Sequence, residues 1–278
     1  MSRIDAHQHF WKYDPGKDSW ITSEMAVLAR DFMPEDLEPI LKKHHFDGCV
    51  VVQSSQTEEE NIFQLKNAEN NPCIKGIVGW VDLRSAGLEE KLQEYKNYPL
   101  IKGFRHILQG EANRALMLEN DFKKGLSLLS TYNFTYDVLI YPDQLIFLEQ
   151  FMNTTNAMPL VIDHIAKPDI KTGNFLEWSE KIKKIAAFEN VHCKVSGMVT
   201  EADWLNWEYE DFEPCLDTVF NAFGADRLMY GSDWPVCELA GGYDRMLGLV
   251  QKYTATLTKS EQAEFWGDNA IKFYHLAS

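Results

Sequence analysis

"IDAHQHF", residues 4–10, begins like a buried strand and then places two imidazoles, His7 and His9, one residue apart. Side chains of a strand alternate between its faces, so residues i and i+2 share one. His7 and His9 therefore point the same way near the strand's C-terminal end, and Gln8 points to the opposite, structural face. A strand buried on both faces calls for Val or Ile at such positions. Paired imidazoles there need a chemical reason, either binding a metal or hydrogen-bonding a substrate.

Seven further apolar runs have the same character: "GCVVVQ" (48–53), "KGIVGWV" (75–81), "LIKGFRH" (100–106), "FTYDVLI" (134–140), "PLVIDHI" (159–165), "VHCKVSG" (191–197) and "LMYGSDW" (228–234). Several are dense in Val and Ile on both faces, as strands of a buried parallel sheet are. Helical patterns separate them. "MPEDLEPILKKHHF" carries Leu37, Ile40 and Leu41 at helical spacing, and "TEEENIFQLKNAEN" opens on Thr57 with glutamates in its first turn. Others cover 87–97, 113–130, 142–154, 175–188, 211–223 and 242–254, with a last one over 259–275. Eight strand–helix repeats fit the roughly 250 residues of a (β/α)8 barrel. No G-x-G-x-x-G opens a helix, which argues against a nucleotide-binding doubly wound sheet. No linker or repeat divides residues 1–278, so the chain reads as one domain.

Composition narrows the partners. Twenty-seven basic against 42 acidic residues give a net charge of −15, without a dense Lys/Arg run. That excludes nucleic acid and anionic membranes as expected partners and leaves a small molecule, with a homo-oligomer open. Five scattered cysteines form no C-x-x-C, and no apolar stretch reaches spanning length. The expectation is a cytoplasmic protein without a signal peptide.

In a barrel the C-terminal strand ends form the active-site mouth. Strand four ends in Arg105 and His106, strand six in Asp163 and His164, and strand eight in Ser232, Asp233 and Trp234 before Pro235. One site explains imidazoles, a guanidinium and carboxylates at several such ends. Trp11, Gln53, Trp80, His106, Tyr136, Asp137 and Trp234 are expected to line the substrate pocket, since aromatic faces suit the C–H faces of a sugar. Lys194 shares a face with His192 and Ser196; His192, early in strand seven, reads as structural. His44, His45 and His275 read as surface residues.

"DAHQHFW", "VVVQ", "GWVDL", "KGFRH", "VIDHIAKP", "KVSGM", "TEADW", "YGSDWPV" and "DNAIKFY" together resemble the amidohydrolase superfamily over the whole chain. The resemblance is to its lactonase-like branch of fuconolactonases, rhamnonolactonases and pyrone-dicarboxylate lactonases. It implies a distorted TIM barrel that hydrolyses a cyclic ester. It places His7 and His9 as the first metal-ligand pair, His164 as a further histidine of the site and Asp233 as the catalytic aspartate. Strand four ends in Arg-His and strand five carries Tyr136 and Asp137, so no lysine or glutamate stands ready to bridge two metals. The resemblance thus implies at most one divalent, zinc-like ion on His7, His9, His164 and Asp233, and not an essential one. Asp233 is the expected general base and later proton donor, and Arg105 the expected oxyanion holder. His164, with His7 and His9, either binds the ion or polarises the carbonyl. The expected activity is opening of an L-fucono- or L-rhamnono-type lactone. The alternatives are a metal-dependent decarboxylase of an aromatic acid and a non-catalytic sugar-binding barrel.

Overall fold

Apolar runs alternating with amphipathic ones become strands alternating with helices in the computed structural model, which describes residues 2–154 and 158–277. Among the described residues the strands are β1 (Ile4–Gln8), β2 (Gly48–Val52), β3 (Ile74–Gly79), β4 (Ile101–His106), β5 (Thr135–Val138), β6 (Leu160–Ile162), β7 (Val191–Val195) and β8 (Leu228–Tyr230). They pair in parallel, in chain order from β1 to β8. The α-helices are α1 (Pro34–Lys43), α2 (Glu58–Glu69), α3 (Leu88–Tyr95), α4 (Asn120–Thr131), α5 (Leu145–Thr154), α6 (Leu176–Ala186), α7 (Glu213–Phe223), α8 (Gly242–Thr254), α9 (Lys259–Ala263) and α10 (Asn269–Phe273). Thr57 caps α2, its hydroxyl accepting from Glu60 N. Among the described residues no helix is long and apolar enough to cross a membrane.

The circle closes just past β8. Asp233 N donates to His7 O at 2.8 Å, and His9 N donates to Trp234 O at 2.8 Å. The architecture is a TIM barrel whose closing seam is made by the backbone of the residues that carry its imidazoles and carboxylate.

Strand alternation fails in β1, at a decisive place. Ile4 and Ala6 join Val50, Val52, Val78, Val161 and Met229 in an inner apolar cluster. By alternation His7 would then face the helices. Instead the β1–β2 register shifts between Asp5 and Gln8, so β1 carries a bulge. A bulge re-aims the side chains that follow it. His7 and His9 turn inward, and Gln8 turns outward, its amide donating to Cys49 Sγ at 3.3 Å.

The single helix expected over 259–275 is interrupted by a π-helical turn at Glu264–Asp268. That extra residue per turn rotates the segment after it. Ala270, Phe273, Tyr274 and Leu276 then pack on the inner cluster. The C-terminal segment thus plugs the barrel at the end where its strands begin, leaving chemistry to the opposite end.

Helix α4 docks through Gly125, where a Cβ would stand 2.0 Å from Leu83 O. Ala favours a helix over Gly by about 1 kcal/mol, but overpacking against a backbone costs about 1–3 kcal/mol. Gly125→Ala should therefore lower the urea midpoint; a raised midpoint would show that α4 does not dock this closely.

Candidate active site

Two rings from β1 define the site. His7 Nδ1 donates to Asp163 Oδ1 at 3.1 Å, and His9 Nδ1 donates to Val52 O at 2.7 Å. Both partners are acceptors, so the network assigns each Nδ1 the proton and leaves Nε2 with its lone pair. The two Nε2 atoms stand 3.2 Å apart. Asp233 Oδ1 lies 3.3 Å from His9 Nε2 and 3.9 Å from the Nε2 of both His7 and His164.

Acceptors facing acceptors repel unless a cation or a shared proton sits among them. Zinc binds imidazole nitrogen at about 2.0–2.1 Å, and tetrahedral angles then hold two nitrogens about 3.3–3.4 Å apart. The spacing of His7 and His9 fits that requirement. His7, His164 and Asp233 also offer one ligand atom each, all within 4.8 Å of one another. The donor set fits one divalent ion.

His164 reaches this position through strained backbone. The sequence suggests a strand through Ile165, yet β6 stops at Ile162. In a continued strand Asp163 would face inward and His164 outward. Instead His164, Ile165, Ala166 and Lys167 all have positive φ, at 56°, 48°, 58° and 51°. A β-branched residue such as Ile165 is a genuine outlier there, and each such residue costs on the order of 1–3 kcal/mol. Trp178 Nε1 donating to Ile165 O at 2.8 Å helps hold the turn. Gly197 makes room beside it, since a Cβ there would stand 2.3 Å from His164 Nδ1. The turn brings Asp163 and His164 into the mouth together.

Burial pushes His7 and His164 well below the usual imidazole range, although Asp163 and Asp233 oppose it. Both rings are therefore neutral, as ligands must be. Burial works against the charge of Asp163, but Lys194, His7 and Arg105 outweigh it and hold the carboxylate well below its ordinary value. Asp233 is likewise held below the usual range, burial being outweighed by His164 and His9. Both carboxylates are ionised at neutral pH.

The structure brings His7, His9, His164 and Asp233 together. Arg105, expected to hold an oxyanion, is already engaged: Nη1 donates to Asp163 Oδ2 at 3.0 Å and stands 3.3 Å from His7 Nε2, and Nη2 donates to Gln53 O. Gln53 returns the contact through Nε2 to Arg105 O at 3.2 Å. Among the described residues its Oε1 and Trp80 Nε1 are buried without hydrogen-bond partners, at the C-terminal ends of β2 and β3. His106 is tied to Glu111 at 2.7 Å.

Four expected pocket residues lie elsewhere. Tyr136 packs outward on Phe122, between sheet and helices. Trp11 packs on Trp20 and Phe32, its Nε1 donating to Arg30 O. Trp234 packs on Phe10 and Phe32. Asp137 sits within the barrel, bonded to Lys194 and Tyr274. The reason is alternation at the end of each strand, which a one-residue shift inverts. Asp163, placed at the end of strand six by the sequence but given no role of its own, holds His7, and Ser196, not assigned to the site, holds His164, its Oγ 2.9 Å from His164 Nδ1. Asp163 stands beside His164 in "DH", which was the available signal.

Residues 4–276 match the amidohydrolase family, and the chain belongs to it. The L-fucono-1,5-lactonase of Burkholderia multivorans is 39% identical over 99% of this chain and 96% of that protein. The L-fucono-1,5-lactonase of Burkholderia ambifaria is 34% identical with the same coverage. A crystal structure of an amidohydrolase from Burkholderia multivorans with bound zinc superposes with a TM-score of 0.96, at 38% identity over the whole of both chains. Within the family the chain stands with the lactonase branch.

Ser196→Ala removes the partner of His164 Nδ1 without adding bulk. Losing such an outer partner typically costs about 10–100-fold in metal affinity. Zinc titration against a chromogenic chelator should show that loss with unchanged circular dichroism, and wild-type affinity would remove Ser196 from the support of the site.

Proposed function

We propose that the chain hydrolyses an L-fucono-type sugar lactone, with Asp233 as the base that activates water. The observation that carries this reading is the buried, ionised Asp233 carboxylate set 3.3–3.9 Å from three imidazole nitrogens at the barrel mouth. The 39% and 34% identical L-fucono-1,5-lactonases support the substrate class.

A water beside Asp233 gives its proton to the carboxylate as its oxygen bonds to the lactone carbonyl carbon. The bond from that carbon to the ring oxygen then breaks. Asp233 returns the proton to the departing ring oxygen, and the product is the open-chain hydroxy acid. One divalent ion held by His7, His9, His164 and Asp233, zinc being the choice that suits imidazole and carboxylate, would polarise the carbonyl and acidify water when bound. Arg105 acts through Asp163 and His7 rather than as the oxyanion donor, because its Nη atoms are already engaged. That engagement also disfavours the aromatic-acid decarboxylase reading, which requires cationic anchors for a substrate carboxylate. Gln53 Oε1, an acceptor, and Trp80 Nε1, a donor, are left for sugar hydroxyls, since buried polar atoms ordinarily have partners.

Hydrolysis of L-fucono-1,5-lactone and L-rhamnonolactone, followed by acid release with a pH indicator, tests the reading. Asp233→Asn keeps the shape and removes the base, so kcat should fall about 10²–10⁴-fold with the fold intact. Near-normal turnover in that variant would remove Asp233 from the mechanism. A wild type that ignores sugar lactones and decarboxylates an aromatic acid would overturn the substrate class.

Elemental analysis should find at most one equivalent of divalent metal, because the donor set lacks a bridging residue for a second. Chelation should lower the rate without abolishing it, since a lactone is an activated ester that a base alone can open. Two tightly held equivalents, or complete loss reversed only by metal, would contradict this.

A further inference from the structure

We propose that Lys194, Asp137 and Tyr274 are positioning residues for His7, forming a buried chain that runs from the C-terminal segment through the barrel to the metal-ligand ring. The proposal rests on the reading of His7 as a ligand. Lys194 Nζ stands 2.5 Å from Asp137 Oδ2, 3.1 Å from Asp163 Oδ1 and 3.2 Å from His7 Nδ1. Asp137 in turn accepts from the Tyr274 hydroxyl, at 2.8 Å and 3.0 Å to its two oxygens. Lys194, Asp137 and Tyr274 are all fully buried.

The contacts around His7 show what this chain does. His7 Nδ1 and Lys194 Nζ each stand 3.1 Å from Asp163 Oδ1 and both donate to that oxygen, while Arg105 Nη1 lies 3.3 Å from Nε2 at the other edge of the ring. Asp163 is the acceptor that fixes the ring proton on Nδ1. Its carboxylate is clamped from both sides, with Lys194 on Oδ1 and Arg105 on Oδ2. A clamped carboxylate sets both the tautomer and the plane of His7, and with them the direction of the Nε2 lone pair. Lys194 can clamp only where Asp137 holds it, and Tyr274 fixes Asp137.

The fold itself does not require this arrangement. The inner cluster beside it is filled by valines, a methionine and aromatic rings. A buried ion pair replaced by apolar residues of similar volume is often neutral or stabilising. Two cations, Lys194 and Arg105, balance two carboxylates, Asp137 and Asp163, so the pair Lys194–Asp137 can be removed together without leaving a net charge. Its place directly under a ligand ring accounts for its presence.

The test is zinc affinity, measured by competition with a chromogenic chelator, alongside kcat, KM and thermal melting. In the triple variant Asp137→Leu, Lys194→Met and Tyr274→Phe no polar group of the chain is left unpaired. Its melting temperature should equal or exceed that of wild type, while zinc affinity falls about 10–100-fold and kcat falls with KM little changed. Tyr274→Phe alone should weaken zinc about 2–10-fold, the range expected for one hydrogen bond. Wild-type zinc affinity in a folded triple variant would overturn the proposal. Should the triple variant not fold, unchanged affinity in Tyr274→Phe would overturn it instead. A wild type that takes up no zinc would remove the ligand reading beneath it, whereas wild-type zinc binding matched by both variants would remove the positioning role alone.

Discussion

Asp233 N to His7 O, and His9 N to Trp234 O, are the two backbone hydrogen bonds on which the molecule depends. They close the barrel, because β8 itself ends at Tyr230 and the chain meets β1 only beyond it. They also fix the distance between the first and last strand ends. The same residues carry the imidazoles and the carboxylate, so ring closure and site assembly are one event. The site is consequently held by backbone geometry, where precise placement is cheapest to maintain.

Around that seam the backbone departs from regularity in ways that serve the site. A bulge in β1 turns His7 and His9 inward after Ala6 has already faced inward. A left-handed turn after β6 turns His164 inward after Asp163 has done so. Asp233 also has a positive φ, of 56°. The first two departures put into the mouth side chains that alternation would send to the helices, whereas Asp233, four residues after the inward Met229, lies on the inward-facing phase already. The energetic cost of such conformations persists only where surrounding packing enforces it, and here the enforcing residues, Trp178 and Gly197, touch the turn directly.

Beneath the mouth the interior is graded. Near the starts of the strands it is apolar and plugged by the C-terminal segment. Above this come Lys194 and Asp137, then Asp163 and Arg105, and finally the Nε2 atoms and Asp233. Lys194, Arg105, Asp137 and Asp163 are tolerable at this depth because each has an opposite partner. The pairing also polarises the site in one sense: the cations hold Asp163, Asp163 holds the His7 proton, and the lone pairs face outward together.

Composition and period determined the class of fold. Val- and Ile-rich runs at eight places, separated by helical patterns, leave few alternatives to a parallel barrel, and each run contains its observed strand or all but its first residue. The sequence also marked His7, His9, His164 and Asp233, because ionisable residues at apolar strand ends have no packing explanation. Tertiary structure alone decided which faces those ends present. Tyr136, Trp11 and Trp234 point into the outer core, and Asp137 lies in the barrel beside Lys194. A period of two propagates any single bulge or left-handed residue to every side chain after it. Nor can a local pattern show that Arg105, Asp163 and Lys194, each from a different strand or strand end, converge on one ring. That convergence follows from closing the barrel, and closure is a property of the whole chain.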